Sequence, residues 1–336
     1  MLKYSKVQMR WVRCLNFILE LDAAATKDIS ELNRFLEIAL KDDPFIGEAC
    51  LPLLKGGKRL RPLLFFICAK SKENFSLERT LPLAAAIELI HTASLVHDDI
   101  LDQSKIRRGI ATSNSKYGAQ IAVLIGDYLF AKAFQLVAEG NYGDEVSLVL
   151  SKLVKNLCIG EITQDRSLFK IPTMTEYYYK IRLKTAVFLA SCCRLGGIVS
   201  KLDKNEIEAF ADYGIGLGLA FQIVDDLLDF FGETNITGKA LGGDLKSGVI
   251  TLPVIHALEV SSKSERLREI VTKNAPENAD IIEAIEIIRQ SDAFDYCKGR
   301  ANAHVEAAII NLPVSINDST IRILEKIAGF VVDRTW

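Results

Sequence analysis

Two octapeptides, LVHDDILD (95–102) and QIVDDLLD (222–229), hold the residues of this sequence best suited to chemistry. Both carry the spacing DDxxD inside an apolar stretch. On a helix, positions i and i+4 share one face. Asp98 and Asp102 therefore point the same way, and so do Asp225 and Asp229. Asp99 and Asp226 sit about a quarter-turn round, able to assist. Carboxylates gathered at the end of a buried helix repel each other and lose hydration. Hard divalent cations compensate through oxygen ligands, and Mg²⁺ in particular combines a few carboxylates with water and substrate phosphates. Two other readings compete. A solvated acidic helix face would explain one motif, but two within the most apolar helices are harder to explain that way. A pair of calcium sites would need EF-hand spacing, with its central Gly and closing Glu, and that is missing.

Basic residues accompany the acids. GGKRLRP (56–62) places Lys58, Arg59 and Arg61 after a Gly-Gly turn at a helix opening. Backbone N–H groups and cations make an anion site there, or simply an ordinary helix start with solvated bases. Arg107, Arg108 and Gly109 follow the first acidic cluster. These bases either form salt bridges with it or receive phosphates. Lys184, Thr185 and Lys239 lie on other segments and are individually weak signals. His91 stands two turns before Asp98 on nearly the same face. It is either a satisfied core histidine or part of the site. Carboxylate, metal, phosphate and base together imply a substrate bearing a diphosphate. No GxxxxGK[ST] occurs, and the glycines at 214, 216 and 218 do not complete GxGxxG. They read as sites of close helix packing.

The elements that must position these residues are helices. Apolar residues recur at three- and four-residue spacing over 8–22, 28–41, 59–72, 83–104, 119–138, 144–168, 175–199, 204–232, 249–261, 279–290, 293–311 and 318–333. Pro82 reads as the N1 residue of one of them. Pro52, Gly56 and Gly57 read as a break. Strand signals are nearly absent. Runs 83–97, 119–135 and 215–228 are apolar on most faces and belong inside a bundle. The expectation is an all-α protein with one domain over 1–336.

Composition sets further bounds. A net charge of −2 argues against a nucleic-acid binder, and 49% hydrophobic residues suffice for a large core. The seven cysteines (Cys14, Cys50, Cys68, Cys158, Cys192, Cys193, Cys297) form no CxxC and read as reduced thiols. Four histidines without HExxH make zinc improbable. The most apolar stretch, 83–96, is interrupted by Glu88 and His91 and reads as a buried helix rather than a membrane span. The opening segment has no secretory pattern, so a cytoplasmic location is expected. That segment is either a membrane-surface amphipathic helix or a helix packed on the body.

The ordered segments GGKRLRP, ELIHTASLVHDDILD (88–102), RRG (107–109), GDYLFAKAF (126–134), GEITQ (160–164), IRLKT (181–185), FQIVDDLLD (221–229), GK (238–239) and GGDLKSGVITLP (242–253) resemble the trans-isoprenyl diphosphate synthase, or polyprenyl synthetase, family. The resemblance implies an all-α bundle of the isoprenoid synthase type around a central active-site cavity, usually dimeric. It implies Mg²⁺-dependent condensation of isopentenyl diphosphate with an allylic prenyl diphosphate. Asp98, Asp102 and Asp225 would be metal ligands, with Asp99, Asp226 and Asp229 supporting. Lys58, Arg61, His91 and Arg108 would hold isopentenyl diphosphate. Arg107, Lys184, Thr185, Gln222 and Lys239 would hold the allylic diphosphate and leaving group, with Phe221 near the reacting carbons.

Three departures stand out: Ala111 replaces a usual Pro, Asn114 a frequent His, and Val249 a frequent Lys. In the family the residues five and four before the first Asp gate the product tunnel. Here they are the small Ala93 and Ser94. Ser94 lies one turn below Asp98, so a growing chain could descend there, which implies products of roughly C30–C40. Shorter products, a class I terpene cyclase, a non-catalytic subunit, a small partner subunit and transient membrane association are the alternatives. The second intact DDxxD and the Lys58/Arg61 site favour condensation over cyclisation.

Overall fold

The structure, a computed structural model, describes residues 23–55, 57, 59–72, 75–232, 241–313 and 315–333. Lys58, Gly238, Lys239, Cys14 and the expected helix 8–22 lie outside the described residues. Among the described residues the chain is helical nearly throughout, with one two-stranded hairpin. It divides into two compact units. The first comprises Leu19–Val154 with Ser191–Ile207, and the second includes Lys155–Ala190 and Glu208–Trp336.

In the first unit, α1 (Ala23–Ala39), α2 (Pro44–Leu54) and α3 (Leu60–Ala69) precede the long α4 (Leu77–Leu101). The hairpin β1 (Ile106–Arg107) and β2 (Ile110–Ala111), the short α5 (Ser113–Tyr117), α6 (Ala119–Glu139) and the start of α7 (Asp144–Arg166) follow. Leu83, Ala84, Ala85, Ala86, Ile87, Leu89, Ile90 and Ala93 of α4 are fully buried. A helix apolar all round must be surrounded by others, and α6 packs along it. Gly126 of α6 faces the His97 ring, where any Cβ would collide with the imidazole. That contact brings α6 close to α4 beside Asp98.

One helix starts earlier than expected, and another, α2, is not among those expected at all. Ser76 caps α4 by accepting from the Arg79 N–H, so the helix opens at Leu77 and Pro82 lies inside it. The cap and Glu78 in the first turn stabilise the earlier start, at the loss of one backbone hydrogen bond at Pro82. Asp43 caps α2 through Phe45 N (2.8 Å) and Ile46 N (3.1 Å), with Pro44 at N1. Pro52 therefore lies within a helix instead of breaking the chain.

The second unit holds the rest of α7, α8 (Met174–Ile181), a π-helical turn (Arg182–Ala186) and the opening of α9 (Val187–Val199). It continues with α10 (Lys204–Phe231) from Glu208 on, then α11 (Gly243–Lys246), α12 (Leu252–Val260), α13 (Ser264–Val271), α14 (Asn278–Gln290), α15 (Ala293–Ile310) and α16 (Asp318–Val332). The three glycines of α10 do permit close packing. A Cβ would lie 2.6 Å from Ala190 N at Gly214, 2.7 Å from His304 O at Gly216 and 3.0 Å from Ala186 Cβ at Gly218. Such approaches fix the helix that carries the second acidic cluster. Among the described residues α4 and α6 are long and apolar enough to cross a membrane, yet α4 is spent as core. α6 leaves Ile121, Val123 and Leu124 exposed. The six described cysteines are free, and all but Cys158 are buried.

Candidate active site

The first acidic cluster ends α4. The Asp102 N–H donates to the Asp98 carbonyl at 2.8 Å, which places the two carboxylates one turn apart at the helix C-terminus. The helix dipole there is already negative, so nearby acids add to the demand for a cation. Asp99 is buried and accepts Arg107 Nε at 2.8 Å. Burial pushes its carboxyl up, and Arg107 pulls it back. Its carbonyl accepts from Asn114 Nδ2 (3.0 Å) and Ser104 N (2.9 Å). Asn114, the residue at a family His position, thus ties the loop to the helix end.

RRG forms the turn of the hairpin. Arg108 has φ 51° and Gly109 φ 80°, two left-handed residues in succession, as a tight two-residue hairpin requires. The near-absence of strand signal concealed this element, because strands two residues long show no alternation.

The bases of the first unit are ordered by partners far away in sequence. Arg59, at φ 53°, donates to Glu88 Oε1 (2.6 Å), Asn33 Oδ1 (3.0 Å) and the Leu54 carbonyl (2.5 Å). Arg59 and Glu88 are 8% and 3% exposed, so this is a buried ion pair. A Cβ at Gly57 would meet the guanidinium of Arg59 at 2.6 Å and that of Arg108 at 3.1 Å. The glycine is what lets both arginines close on this loop. His91 Nε2 lies 3.1 Å from Arg61 Nη1. Burial and the charges of Arg61, Arg108, Arg107 and Arg59 hold the ring well below its ordinary pKa. His91 is therefore neutral and accepts from Arg61. Ala93 is fully buried, and the Ser94 hydroxyl donates to the His91 carbonyl at 2.9 Å.

The second cluster lies in the last turns of α10. Asp226, 3% exposed, accepts from Tyr177 OH (2.7 Å) and Gln222 Nε2 (2.9 Å). Burial pushes its carboxyl up to about 6. Gln222 Oε1 in turn accepts from the Thr185 hydroxyl at 2.7 Å. Asp229 accepts Gly243 N (3.0 Å) and Asp244 N (2.9 Å), so one carboxylate anchors the start of α11. Burial and the neighbouring Asp229 and Asp226 push the Asp244 carboxyl up to about 8. Lys184, within the π-turn, pairs with Glu161 at 2.9 Å. π-turns are rare and concentrate at functional sites.

Among the described residues no three acids, histidines or cysteines converge closely enough to cage a metal by themselves. The donor set is all oxygen, and burial pushes the carboxyls of its buried members up. That fits a hard ion which keeps waters and shares substrate phosphates, as Mg²⁺ does. Sequence reasoning missed Glu88, Glu161, Tyr177, Lys180 and Asp244. Glu88 carried a signal, since an acid within a fully apolar helix needs a partner.

The fold is that of the all-α isoprenoid synthases. The family model described as polyprenyl synthetase matches residues 43–288. The chain is 36% identical over 301 residues to a short chain isoprenyl diphosphate synthase of Methanocaldococcus jannaschii, covering 88% of this chain and 91% of that protein. It is 37% identical over 290 residues to heptaprenyl diphosphate synthase component 2 of Geobacillus stearothermophilus, covering 84% and 88%. A polyprenyl synthase of Caulobacter crescentus, solved with calcium and isoprenyl diphosphate, superposes with a TM-score of 0.85 at 32% identity, covering 94% of this chain and 98% of that one. The chain belongs to the polyprenyl synthetase family, and it is a prenyltransferase.

Proposed function

We propose that this enzyme condenses isopentenyl diphosphate with an allylic prenyl diphosphate, in a Mg²⁺-dependent reaction, to give an all-trans polyprenyl diphosphate of roughly C30–C40, the length a tunnel left open one turn below Asp98 would admit. One observation carries the reading: each acidic cluster has its own set of basic and polar side chains within its own unit. Arg61, Arg108 and the neutral His91 are gathered in the first unit, and Lys184, Thr185 and Gln222 in the second. Two sets suit two diphosphates.

Asp98 and Asp102 in the first unit, and Asp225 in the second, would be metal ligands, and bound divalent ions would supply positive charge to the departing diphosphate. Asp99, Asp226 and Asp229 hold the surrounding framework through Arg107, Tyr177 and the start of α11. Arg61, positioned by His91, and Arg108, beside Gly57, fix isopentenyl diphosphate together with Lys58. Lys184, Thr185 and Lys239 take the allylic diphosphate as its C–O bond breaks. The allylic C1 then bonds to the isopentenyl double bond, and one proton leaves, accepted by the released diphosphate. Calcium and isoprenyl diphosphate in the Caulobacter structure support a divalent ion at such a site.

The assay combines purified protein, Mg²⁺, labelled isopentenyl diphosphate and farnesyl diphosphate, with products sized by chromatography. A product stopping at C20 would sink the long-chain part. The short-chain synthase of M. jannaschii makes that outcome the second reading. The tunnel argument has its own check: Ser94→Phe should shorten the product by several isoprene units with turnover retained, and an unchanged ladder would refute it.

The exposed Ile121, Val123 and Leu124 of α6 support self-association into a homodimer, which sedimentation of the purified protein tests. The Geobacillus relative, named as a component, supports a small partner subunit instead, in which case the protein alone should show no condensation. We further propose that the two units act as a single domain in the cytoplasm, releasing product at a membrane. Vesicle co-sedimentation in the presence of product checks the last step, and no binding would rule it out.

A further inference from the structure

Lys180 is used by nothing in the mechanism above, yet it is only 7% exposed. A buried lysine is costly unless its charge is balanced. Its Nζ lies 5.9 Å from the centre of the Tyr177 ring, and the hydroxyl of that ring donates to Asp226 at 2.7 Å. Its hydrogen bond, 3.3 Å, goes to the Ile250 carbonyl and not to a carboxylate. Burial pushes the Lys180 ammonium down, while Asp226 and Asp244 favour its charged form and Lys180 favours theirs in return. Lys184, one turn on, is engaged by Glu161 at 2.9 Å.

We propose that Lys180 is a resident counter-cation of the second acidic cluster, a positioning residue that keeps Asp226 and Asp244 together when no metal is present and sets how strongly the cluster attracts divalent ions. An ammonium paired directly with a carboxylate would block that carboxylate's oxygens. Seated on a carbonyl and an aromatic face, it lowers the negative potential without taking a carboxylate oxygen, and Asp226 keeps its hydrogen bonds to Tyr177 and Gln222. The cluster then need not bind a divalent ion tightly until a diphosphate adds its own charge. This inference rests on the metal–diphosphate reading of the site.

The test follows thermal unfolding of the full chain at fixed inorganic diphosphate while Mg²⁺ is titrated, with no prenyl substrate and so no turnover. Wild type should be stabilised by the two ions together. Lys180→Met should unfold at lower temperature without metal, and its Mg²⁺ midpoint should fall about five- to tenfold, as removal of one nearby positive charge requires. Lys180→Arg, which keeps the charge, should stay within about twofold of wild type. If Lys180→Met is folded only when Mg²⁺ and diphosphate are added, the inference also stands, since a cation then replaces the ammonium. A variant that stays unfolded with both ions present overturns it, as does a Met midpoint equal to or above wild type. An Arg variant that behaves like Met overturns it too, by showing that shape matters and charge does not. A wild-type protein indifferent to Mg²⁺ and diphosphate would instead overturn the metal–diphosphate reading, and this inference with it.

Discussion

Asp98→Asn should lower kcat by about 10³-fold, the usual cost of removing one charged contact that matters mainly in the transition state. Folding should be spared. Asp98 is half-buried at the C-terminus of α4, one turn from Asp102, where the helix dipole disfavours a negative charge. Removing that charge relieves repulsion, so Tm should hold or rise slightly. Functional acids of this kind are held against local stability. The measurement is a paired one, steady-state turnover and thermal unfolding on the same preparation. Near-normal turnover would remove Asp98 from the metal set. A large fall in Tm would recast it as structural.

Glu88→Ala should cost about 3–5 kcal/mol of stability, the penalty for leaving a buried charge without its partner. Its partner Arg59 also holds Asn33 and the Leu54 carbonyl, so the loss spreads to α1 and α2. A drop in Tm of about 4–7 °C would follow for a protein of this size. Arg59 and Arg108 flank Gly57, so in the folded fraction the KM for isopentenyl diphosphate should rise as the loop loosens. Glu88→Gln, which keeps the shape, should fall between Ala and wild type. Urea unfolding measures the first effect. A loss below about 1 kcal/mol would mean that Arg59 finds water or another acceptor, and the buried pair would then carry little of the fold.

Much of this was legible in the chain because it was local. The i, i+4 aspartates, the apolar α4 and α6, and the close-packed glycines of α10 need only helical geometry. The starts at Ser76 and Asp43 also carry local signals, in the capping side chains and in Pro44 at N1. A proline after the first turn costs one hydrogen bond, while a good cap and a buried face return more. α13 has only eight residues, Ser264–Val271, too few for its periodicity to stand out. The hairpin at 106–111 could have been suspected from Gly109, though two-residue strands leave no pattern. What could not be read were pairings across long separations: Arg59 with Glu88, Tyr177 with Asp226, Lys184 with Glu161. Each residue alone resembles any other charged or aromatic side chain on a helix. Only folding shows which ones meet: Arg59 and Lys184 proved to be held by Glu88 and Glu161, and Arg107 by Asp99 of the first acidic cluster.

The wide turn at Arg182–Ala186 leaves its own mark on the chain. The Val187 N–H reaches back to Arg182, one residue further than an α-helix would. In effect one residue has been inserted into an otherwise regular helix. A helical wheel drawn straight through 174–199 therefore falls out of phase by about 100° beyond Ala186. The facing of Lys184 and Thr185 is thus fixed by a count of residues as much as by their identities. Within this segment, a change of length alters the site in a way that no substitution can reproduce.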